Sequence, residues 1–236
     1  MGAMDIFYQP DIQNGELLLD PAESNHCVGV MRNKTGDRIS IIDGRGGYYE
    51  AELLNEDRKA CRVRLVSRKQ IIPPIPYKLH LAIAPPKSMD RFEFFVEKAT
   101  EIGVTSITPI ICQRSERRKL RADRVQKVAI AAIKQSGKAY LPEIREMEKF
   151  HHWISRDRTG AKYIAHCMDS ERTELWHAPY TEENWILIGP EGDFTEAETS
   201  EAISCGFQPV SLGKHTLRTE TAGIVACTSF YLKMQK

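Results

Sequence analysis

From residue 77 onward, short apolar strands alternate with amphipathic helices, and this alternation restricts the fold more than any other feature of the sequence. Five strands are predicted, at residues 79–84, 106–111, 163–167, 185–189 and 209–212. Four helices are predicted between or after them, at residues 90–102, 123–136, 195–204 and 221–232. Thr195 and Glu198 form a capping-box pattern, and Thr219 or Thr221 can cap the last helix. The alternation predicts an α/β domain with a mostly parallel sheet covered on both faces.

Residues 5–68 follow a different pattern, in which short alternating strands are separated by turn residues. These strands are predicted at residues 37–42, 48–54 and 61–66, and they favour a small antiparallel β-barrel. One helix is expected at residues 21–32, with Asp20 as its cap and Pro21 in its first turn.

A proline-rich connector separates these two patterns. Pro73, Pro74 and Pro76 cannot lie inside a helix or a central strand, and they favour an extended chain. We therefore expect one domain at residues 1–72 and a second at residues 73–236.

Composition and missing motifs exclude several classes of protein. The formal net charge is +1, and no apolar run reaches the length of about 18 residues that a membrane span needs. The six cysteines are scattered, which predicts reduced thiols in a cytoplasmic protein and no metal site. The chain lacks a P-loop, a G-x-G-x-x-G turn after its first apolar strand and a G-x-S-x-G elbow. These absences argue against a nucleoside triphosphatase, a Rossmann dehydrogenase and an α/β hydrolase.

Three strand ends of the predicted parallel sheet carry residues suited to a ligand, and ligands of such sheets gather at the carboxyl ends of strands. Residues 188–192 (Ile-Gly-Pro-Glu-Gly) place two glycines where backbone can approach a ligand closely. Residues 212–222 form a polar loop that enters the last helix, and residues 165–169 give a weaker signal. Taken singly, these segments are also compatible with a plain strand-to-helix turn and with capping plus surface charge.

A basic stretch precedes these loops. Residues 114–138 hold nine basic residues against Glu116 and Asp123, a local charge of +7. The basic residues are Arg114, Arg117, Arg118, Lys119, Arg121, Arg124, Lys127, Lys134 and Lys138. Such clustering is typical of contacts with nucleic-acid phosphates, and the alternative is a solvated helix face.

Several motifs in the same order resemble the RsmE family of SPOUT-class RNA methyltransferases, along nearly the whole chain. The segments that carry the resemblance are 188–192, 212–222, 26–37, 86–104, 114–115 and 135–137. This resemblance implies S-adenosylmethionine-dependent methylation of N3 of a specific uridine in 16S (small-subunit) ribosomal RNA. It also implies a homodimer, an N-terminal PUA-like RNA-binding barrel and a deep trefoil knot in about residues 160–236. The implied partner is small-subunit ribosomal RNA or the assembled small subunit. No association with a membrane is expected.

The resemblance also implies roles for individual residues. Arg218 and Glu220 are the expected catalytic residues. The expected cofactor-binding residues are His166, Cys167, Ile188, Gly189, Pro190, Glu191, Gly192, Leu212, Gly213, Leu217, Thr219, Thr221 and Ala222. The expected RNA-binding residues are Arg32, Lys87, Arg91, Arg114, Arg117, Arg118, Lys119 and Lys138.

Three positions depart from the family pattern. Asp193 stands where the family usually has glycine, so it is expected to cap the next helix or to alter the rim of the pocket. Lys134 and Lys138 stand where glutamate and arginine are commoner. Two other functions remain open at this point: a knotted methyltransferase for transfer RNA, acting on a ribose oxygen, and a ribosome-assembly factor that binds RNA without catalysis.

Overall fold

The computed structural model describes residues 5–13, 15–73, 77–168 and 171–233, which form two compact units. The first unit contains the described residues up to Pro73 together with Ile130–Leu141. The second contains the remaining described residues, from 77 to Ala129 and from Pro142 onward. Residues 74–76 of the predicted connector and residues 169–170 of the third strand end lie outside the described residues.

The first unit is built on a five-stranded sheet whose order is β1-β3-β4-β5-β2. Its strands are β1 (Ile6–Tyr8), β2 (Glu16–Leu18), β3 (Arg38–Ile42), β4 (Gly47–Leu53) and β5 (Arg62–Gln70). The predicted antiparallel pairing is confirmed for β3, β4, β5 and β2, whereas β1 pairs with β3 in parallel. The strands β1 and β2 were not predicted, because three residues are too short to show a period.

The helix predicted at residues 21–32 is wrong as one α-helix. Helix α1 (Pro21–Ser24) is capped by the Asp20 carboxylate as predicted, but it continues as a π-helical turn over Asn25–Val30. Bonds such as the one from Met31 N to His26 O (2.9 Å) are spaced five residues apart and widen the turn. Arg32 then ends the segment with a positive φ of 61°. Local propensity does not reveal such a widening.

The second unit is an α/β domain, as predicted, and its strand pairings among the described residues are parallel. The sheet order is β11-β13-β10-β12-β6-β7-β8, with β9 pairing to β7. The strands are β6 (Lys78–Ile83), β7 (Ser106–Ile111), β8 (Glu143–Ile144), β9 (Glu148–Lys149), β10 (Ala161–Ala165), β11 (Thr173–Glu174), β12 (Glu183–Ile188) and β13 (Gln208–Ser211). The five predicted strands match β6, β7, β10, β12 and β13, while the two-residue strands were missed.

Five helices lie among the described residues beyond residue 77, and all except α4 lie close to their predicted positions. They are α2 (Met89–Ile102), α3 (Ala122–Ser136), α4 (Phe150–Ile154), α5 (Glu196–Ser204) and α6 (Thr219–Lys233). Phe92, Phe95, Val96 and Ala99 form the buried stripe of α2, which Gly103 ends with a φ of 114°. The predicted capping box of Thr195 and Glu198 is present at α5.

Two helical predictions need correction. The five-residue helix α4 was not predicted, because it is too short to show a helical period and no side chain caps its first turn. Helix α6 begins at Thr219, so Thr219 and Thr221 lie inside the helix and do not cap it. Within the described part of the chain, no helix is long and apolar enough to cross a membrane.

Candidate functional site

Three loops meet at one edge of the parallel sheet, because β10 lies between β12 and β13. Ala165 is in register with Ile188 of β12 and with Val210 of β13, so the three strands end side by side. The loops that follow them enclose a cavity of about 480 Å³. This volume lies within the range of about 300–1,000 Å³ that is usual for sites of small molecules and cofactors.

Most of the predicted site residues line this cavity. They are His166, Cys167, Ile188, Gly189, Pro190, Glu191, Gly192, Leu212, Gly213, Leu217, Arg218, Thr219 and Ala222. Thr221 and Glu220 do not line it: Thr221 is exposed on α6, and Glu220 is buried. Five other residues that line the cavity were not among the expected site residues, namely Ala165, Arg172, Ser211, His215 and Thr216. Asp193, expected at the rim of the pocket, lines it as well. Ala165, His215 and Thr216 lie inside the segments 165–169 and 212–222, and Ser211 directly precedes the second, so their position was the available signal.

The two loops with the strongest sequence signal are joined by a buried hydrogen bond. The hydroxyl of Thr219, at the start of α6, donates to the carbonyl oxygen of Gly189 (Oγ1–O 3.1 Å). Gly189 itself is crowded, since a Cβ there would lie 3.1 Å from the ring of Phe194. Gly213 is different: its φ is 121°, and nothing lies within 4 Å of a Cβ placed there. Backbone is therefore open to a ligand at Gly213.

Replacing Thr219 with valine tests the link between the two loops. Valine has nearly the same shape but leaves the buried Gly189 carbonyl without its donor, which costs about 1–3 kcal/mol. We expect urea unfolding to show a loss of stability in that range. Thr219→Ser keeps the hydroxyl and is the matched control; a serine variant as unstable as the valine variant would show that the hydrogen bond is not the cause.

Glu191 and Arg114 attach neighbouring segments to the loop after β12. The Glu191 carboxylate accepts from the backbone N–H of Lys87 (3.0 Å). The Arg114 guanidinium donates to the carbonyl oxygen of Gly192 (2.7 Å), and its side-chain carbons lie 3.3 Å from a Cβ placed on Gly192. Arg117 donates to the carbonyl oxygens of Pro86 and Lys87. Two of the predicted RNA-binding arginines therefore brace the loops around the cavity.

Asp193 adopts a positive φ of 60°, a conformation that glycine accepts more readily than an L-residue. Its Oδ2 accepts from the backbone N–H of Cys167 (2.8 Å), and its Oδ1 accepts from that of Phe194 (2.8 Å). The left-handed conformation costs about 1–2 kcal/mol. A hydrogen bond to a carboxylate contributes about 1.5–3 kcal/mol, so the two bonds offset the cost. The expected capping of α5 falls to Thr195 instead, and Asp193 lies on the cavity wall.

His166 and Cys167 lie at the end of β10. His166 is buried, and neither of its ring nitrogens has a hydrogen-bond partner among the described residues. Burial lowers the pKa of His166, and the nearby Arg172 guanidinium lowers it further. The Asp193 carboxylate acts in the opposite direction, but its effect is smaller. Burial and Asp193 raise the pKa of the exposed Cys167 thiol. At neutral pH both side chains are therefore uncharged.

The lowered pKa of His166 predicts a loss of stability in acid. The unfolded chain takes up this proton near the ordinary pKa of 6.5, before the folded chain does, so stability is complete above that value and falls as the pH decreases. Burial also lowers the pKa of His80, which adds in the same direction. We expect urea unfolding to show that the free energy of unfolding differs less between about pH 5 and about pH 7.5 in His166→Met than in the unaltered protein. An unchanged difference would contradict the assignment.

Glu220 lies in the first turn of α6 and contacts Arg91 of α2 (Oε1–Nε 3.8 Å). Its other carboxylate oxygen is buried and has no hydrogen-bond partner among the residues that the structure describes. Arg218 is exposed at the cavity, and its side chain forms no ion pair within the described ranges. The structure thus separates the two predicted catalytic residues into one that faces the cavity and one that lies behind its wall.

Part of the basic stretch is neutralised by acids that are distant in sequence. Arg124 pairs with Glu93, and Lys134 contacts Glu23 (Nζ–Oε1 2.7 Å). Arg121 pairs with Asp123 (2.8 Å), an acid inside the segment that the predicted charge already includes. The predicted local charge of +7 therefore overstates the free charge of this segment, because it counted only acids within the segment. Arg118, Lys119 and Lys127 form no ion pairs among the described residues.

The remaining predicted RNA-binding residues lie in both units. Arg32 and Lys138 belong to the first unit, where Arg32 is exposed. Lys87 and Arg91 belong to the second; Lys87 contacts Glu116 (Nζ–Oε2 3.2 Å). No group of three or more histidine, cysteine, aspartate or glutamate side chains suited to a metal ion occurs among the described residues.

A second cavity, of about 450 Å³, lies near the amino ends of β6 and β12 and was not foreseen from the sequence. His80 stacks on Trp185 there, with ring centroids 3.9 Å apart. Its Nε2 lies 2.7 Å from the Glu183 carboxylate, which also contacts Lys78 at 2.7 Å. Arg158 lies over the rings of Trp153 and Trp185, and burial lowers its pKa to about 10. Carboxylates and aromatic rings thus surround most of the cations in this cavity.

Comparison with known proteins matches both parts of the chain to domains of RNA methyltransferases. The family model for an RNA methyltransferase domain matches residues 73–231, and that for an RNA methyltransferase PUA domain matches residues 19–66. The ribosomal RNA small subunit methyltransferase E of Synechocystis is 30% identical over 215 residues, which cover 88% of this chain and 70% of the relative.

Solved structures extend the similarity to the whole fold. A crystal structure described as a probable rRNA-methyltransferase from Porphyromonas gingivalis has a TM-score of 0.90 and 37% identity, covering 97% of this chain and 98% of that one. The ribosomal RNA small subunit methyltransferase E from Neisseria gonorrhoeae, solved bound to S-adenosyl methionine, has a TM-score of 0.87 and 26% identity, covering 96% of each chain. With its paired PUA and methyltransferase matches and its three-loop cavity, the chain belongs to the ribosomal RNA small subunit methyltransferase E (RsmE) family.

Proposed function

We propose that this chain transfers a methyl group from S-adenosylmethionine to N3 of a uridine in small-subunit ribosomal RNA. The observation that carries the proposal is the cavity that the three strand-end loops enclose, lined by the residues that the family resemblance marks for the cofactor. Family membership supports the reaction class and the RNA substrate. The choice of uridine N3 as the methylated atom follows the family resemblance.

The cavity fits S-adenosylmethionine in size and in the kind of groups it offers. Its volume of about 480 Å³ suits a nucleoside-sized ligand. Gly189, Gly192 and Gly213 bring backbone to the wall without side chains, and Gly213 has open space around it. Ile188, Leu212 and Leu217 add apolar surface. S-adenosylmethionine, when bound, supplies a methyl group on a cationic sulfur.

Arg218 is the residue best placed to act on the nucleotide. Uracil N3 carries a proton and becomes a good nucleophile only when that proton is lost, which leaves negative charge on the base. The exposed Arg218 guanidinium at the cavity can stabilise this charge at a carbonyl oxygen of the base. In this proposal Arg218 is the catalytic residue, and the cavity walls hold the base in line with the methyl group.

Glu220 acts in this proposal as a positioning residue. It does not line the cavity, and its carboxylate lies 3.8 Å from Arg91, so its position supports an indirect role over direct acceptance of the N3 proton. Glu220 and Arg91 would fix the start of α6, the helix that directly follows Arg218. The proton then passes to solvent or to a group of the substrate particle.

RNA contacts are proposed for both parts of the chain. Residues 1–72 act as a PUA-like RNA-binding module, supported by the family match to residues 19–66. Arg118 and Lys119 are exposed and form no ion pairs among the described residues, so they are available to phosphates. We further propose that residues 160–236 form a trefoil knot and that the enzyme works as a homodimer in the cytoplasm, during ribosome biogenesis.

Calorimetry separates this proposal from a non-catalytic assembly factor. Titration of the purified protein with S-adenosylmethionine is expected to show saturable binding, with about one cofactor per chain. A protein that only binds RNA gives no heat of binding with the cofactor, and that result would remove the cofactor from the proposed function.

A further inference from the structure

The carboxylate of Asp193 connects two loops that line the proposed cofactor cavity. Asp193 lies in the loop between β12 and α5, while Cys167 lies in the loop after β10. Both residues line the same cavity, and Asp193 Oδ2 accepts from Cys167 N at 2.8 Å. A glycine at this position would have no side chain with which to make this bond.

The local structure shows that this aspartate is not needed for the helix that follows it. The first turn of α5 is capped by Thr195 and Glu198, which bond to each other's backbone N–H. The turn at Asp193 is closed by its own N–H, which donates to the Pro190 carbonyl oxygen (2.9 Å). Glycine would satisfy the positive φ at this turn with less strain. Beyond these features the carboxylate accepts from Phe194 N within its own loop and from Cys167 N, and only the bond to Cys167 reaches another loop.

We propose that Asp193 is a positioning residue that presets the cofactor cavity by clamping the loop after β10 to the loop after β12. This proposal rests on the function proposed above. Loops that are ordered before binding lose less conformational entropy when the ligand arrives, so the clamp raises cofactor affinity. It also occupies the Cys167 N–H, so the cofactor is held by other backbone groups of the three loops. Asp193 does not touch the reacting atoms in this scheme.

The test compares Asp193→Gly with Asp193→Asn by calorimetry with S-adenosylmethionine. The glycine variant keeps the backbone conformation and loses the clamp, so its Kd is expected to rise about tenfold. The asparagine variant tolerates a positive φ and keeps one acceptor oxygen, which can serve the Cys167 N–H while the bond to Phe194 N is lost, so its Kd is expected to stay within about threefold. At saturating cofactor, kcat for RNA methylation is expected to change less than about twofold in both variants.

Two further measurements make the result specific. Hydrogen exchange of the Cys167 amide, followed by NMR, is expected to be slow in the unaltered protein and in Asp193→Asn, and fast in Asp193→Gly. Asp157→Gly is the matched control, since Asp157 is an exposed loop aspartate that lines the second cavity. Its cofactor affinity is expected to equal that of the unaltered protein.

Several outcomes would overturn the clamp. These are an unchanged Kd in Asp193→Gly, an equal loss of affinity in the asparagine and glycine variants, and an unprotected Cys167 amide in the unaltered protein. The last measurement does not depend on any variant being folded. Failure of the unaltered protein to bind S-adenosylmethionine would overturn the proposed function instead, so the two failures are distinguishable.

Discussion

Replacing Arg218 with alanine is expected to lower kcat for RNA methylation by about two to three orders of magnitude, while the Kd for S-adenosylmethionine stays within about threefold. The reason is the position of the side chain: Arg218 is exposed at the cavity and forms no ion pair among the described residues. Its charge is thus available for the negative charge that develops on the base. Single-turnover methylation with labelled cofactor measures the rate, and calorimetry measures the binding.

Arg218→Lys is the matched control for charge. Lysine keeps the positive charge but loses the planar, two-pronged donor geometry of the guanidinium. We expect its rate to lie between those of the unaltered protein and the alanine variant. If Arg218→Ala methylated RNA at nearly the normal rate, Arg218 would have no catalytic role. If it lost cofactor binding in parallel with activity, Arg218 would belong to the cofactor site.

Gly223→Val is expected to lower the free energy of unfolding by about 3 kcal/mol, because the new side chain overpacks the contact between two helices. Gly223 lies in α6, where a Cβ would come within 2.5 Å of the Phe95 ring and within 3.1 Å of Ile83. Phe95 is fully buried in α2, so its ring cannot move into solvent. The close approach of α6 to α2 therefore depends on the missing side chain, even though glycine is a poor helix former.

A double-mutant cycle isolates this contact. Phe95→Leu removes part of the ring that the new side chain meets, so the double variant is expected to be more stable than the sum of the two single effects predicts. Urea unfolding of all four proteins gives the coupling free energy. Additive effects, or a stability of Gly223→Val close to that of the unaltered protein, would show that α6 and α2 do not pack as described.

Long periodic elements were predictable from sequence, whereas short or strained ones were not. The stripe of Phe92, Phe95 and Ala99 placed α2 to within one residue, because tertiary packing buries the same face that the sequence makes apolar. Helix α4 and strand β8 have five and two residues, which is too short for any period to be read. The tight contact at Gly223 was also hidden, because a helix pattern does not show what its neighbour brings.

Some features of the candidate site were also visible in the sequence, whereas others depend on contacts that only the fold creates. Residues 188–192 and 212–222 stood out in sequence because glycines and polar groups at strand ends are unusual. The carboxylate of Asp193 was visible only as a departure from a family pattern, and its bond to Cys167 depends on which strands lie side by side. Likewise the basic stretch looked free because Glu23 and Glu93, which pair with Lys134 and Arg124, are distant in the chain.

The most direct test of the proposed function is to map the methyl group that this protein transfers. Small ribosomal subunits from a strain lacking the gene are incubated with the purified protein and labelled S-adenosylmethionine, and the RNA is digested and analysed by mass spectrometry. One labelled nucleoside is expected, a uridine methylated at N3, and none is expected with Arg218→Ala. A label on a ribose 2′-oxygen, a label found only in transfer RNA, or no label at all would contradict the proposed function.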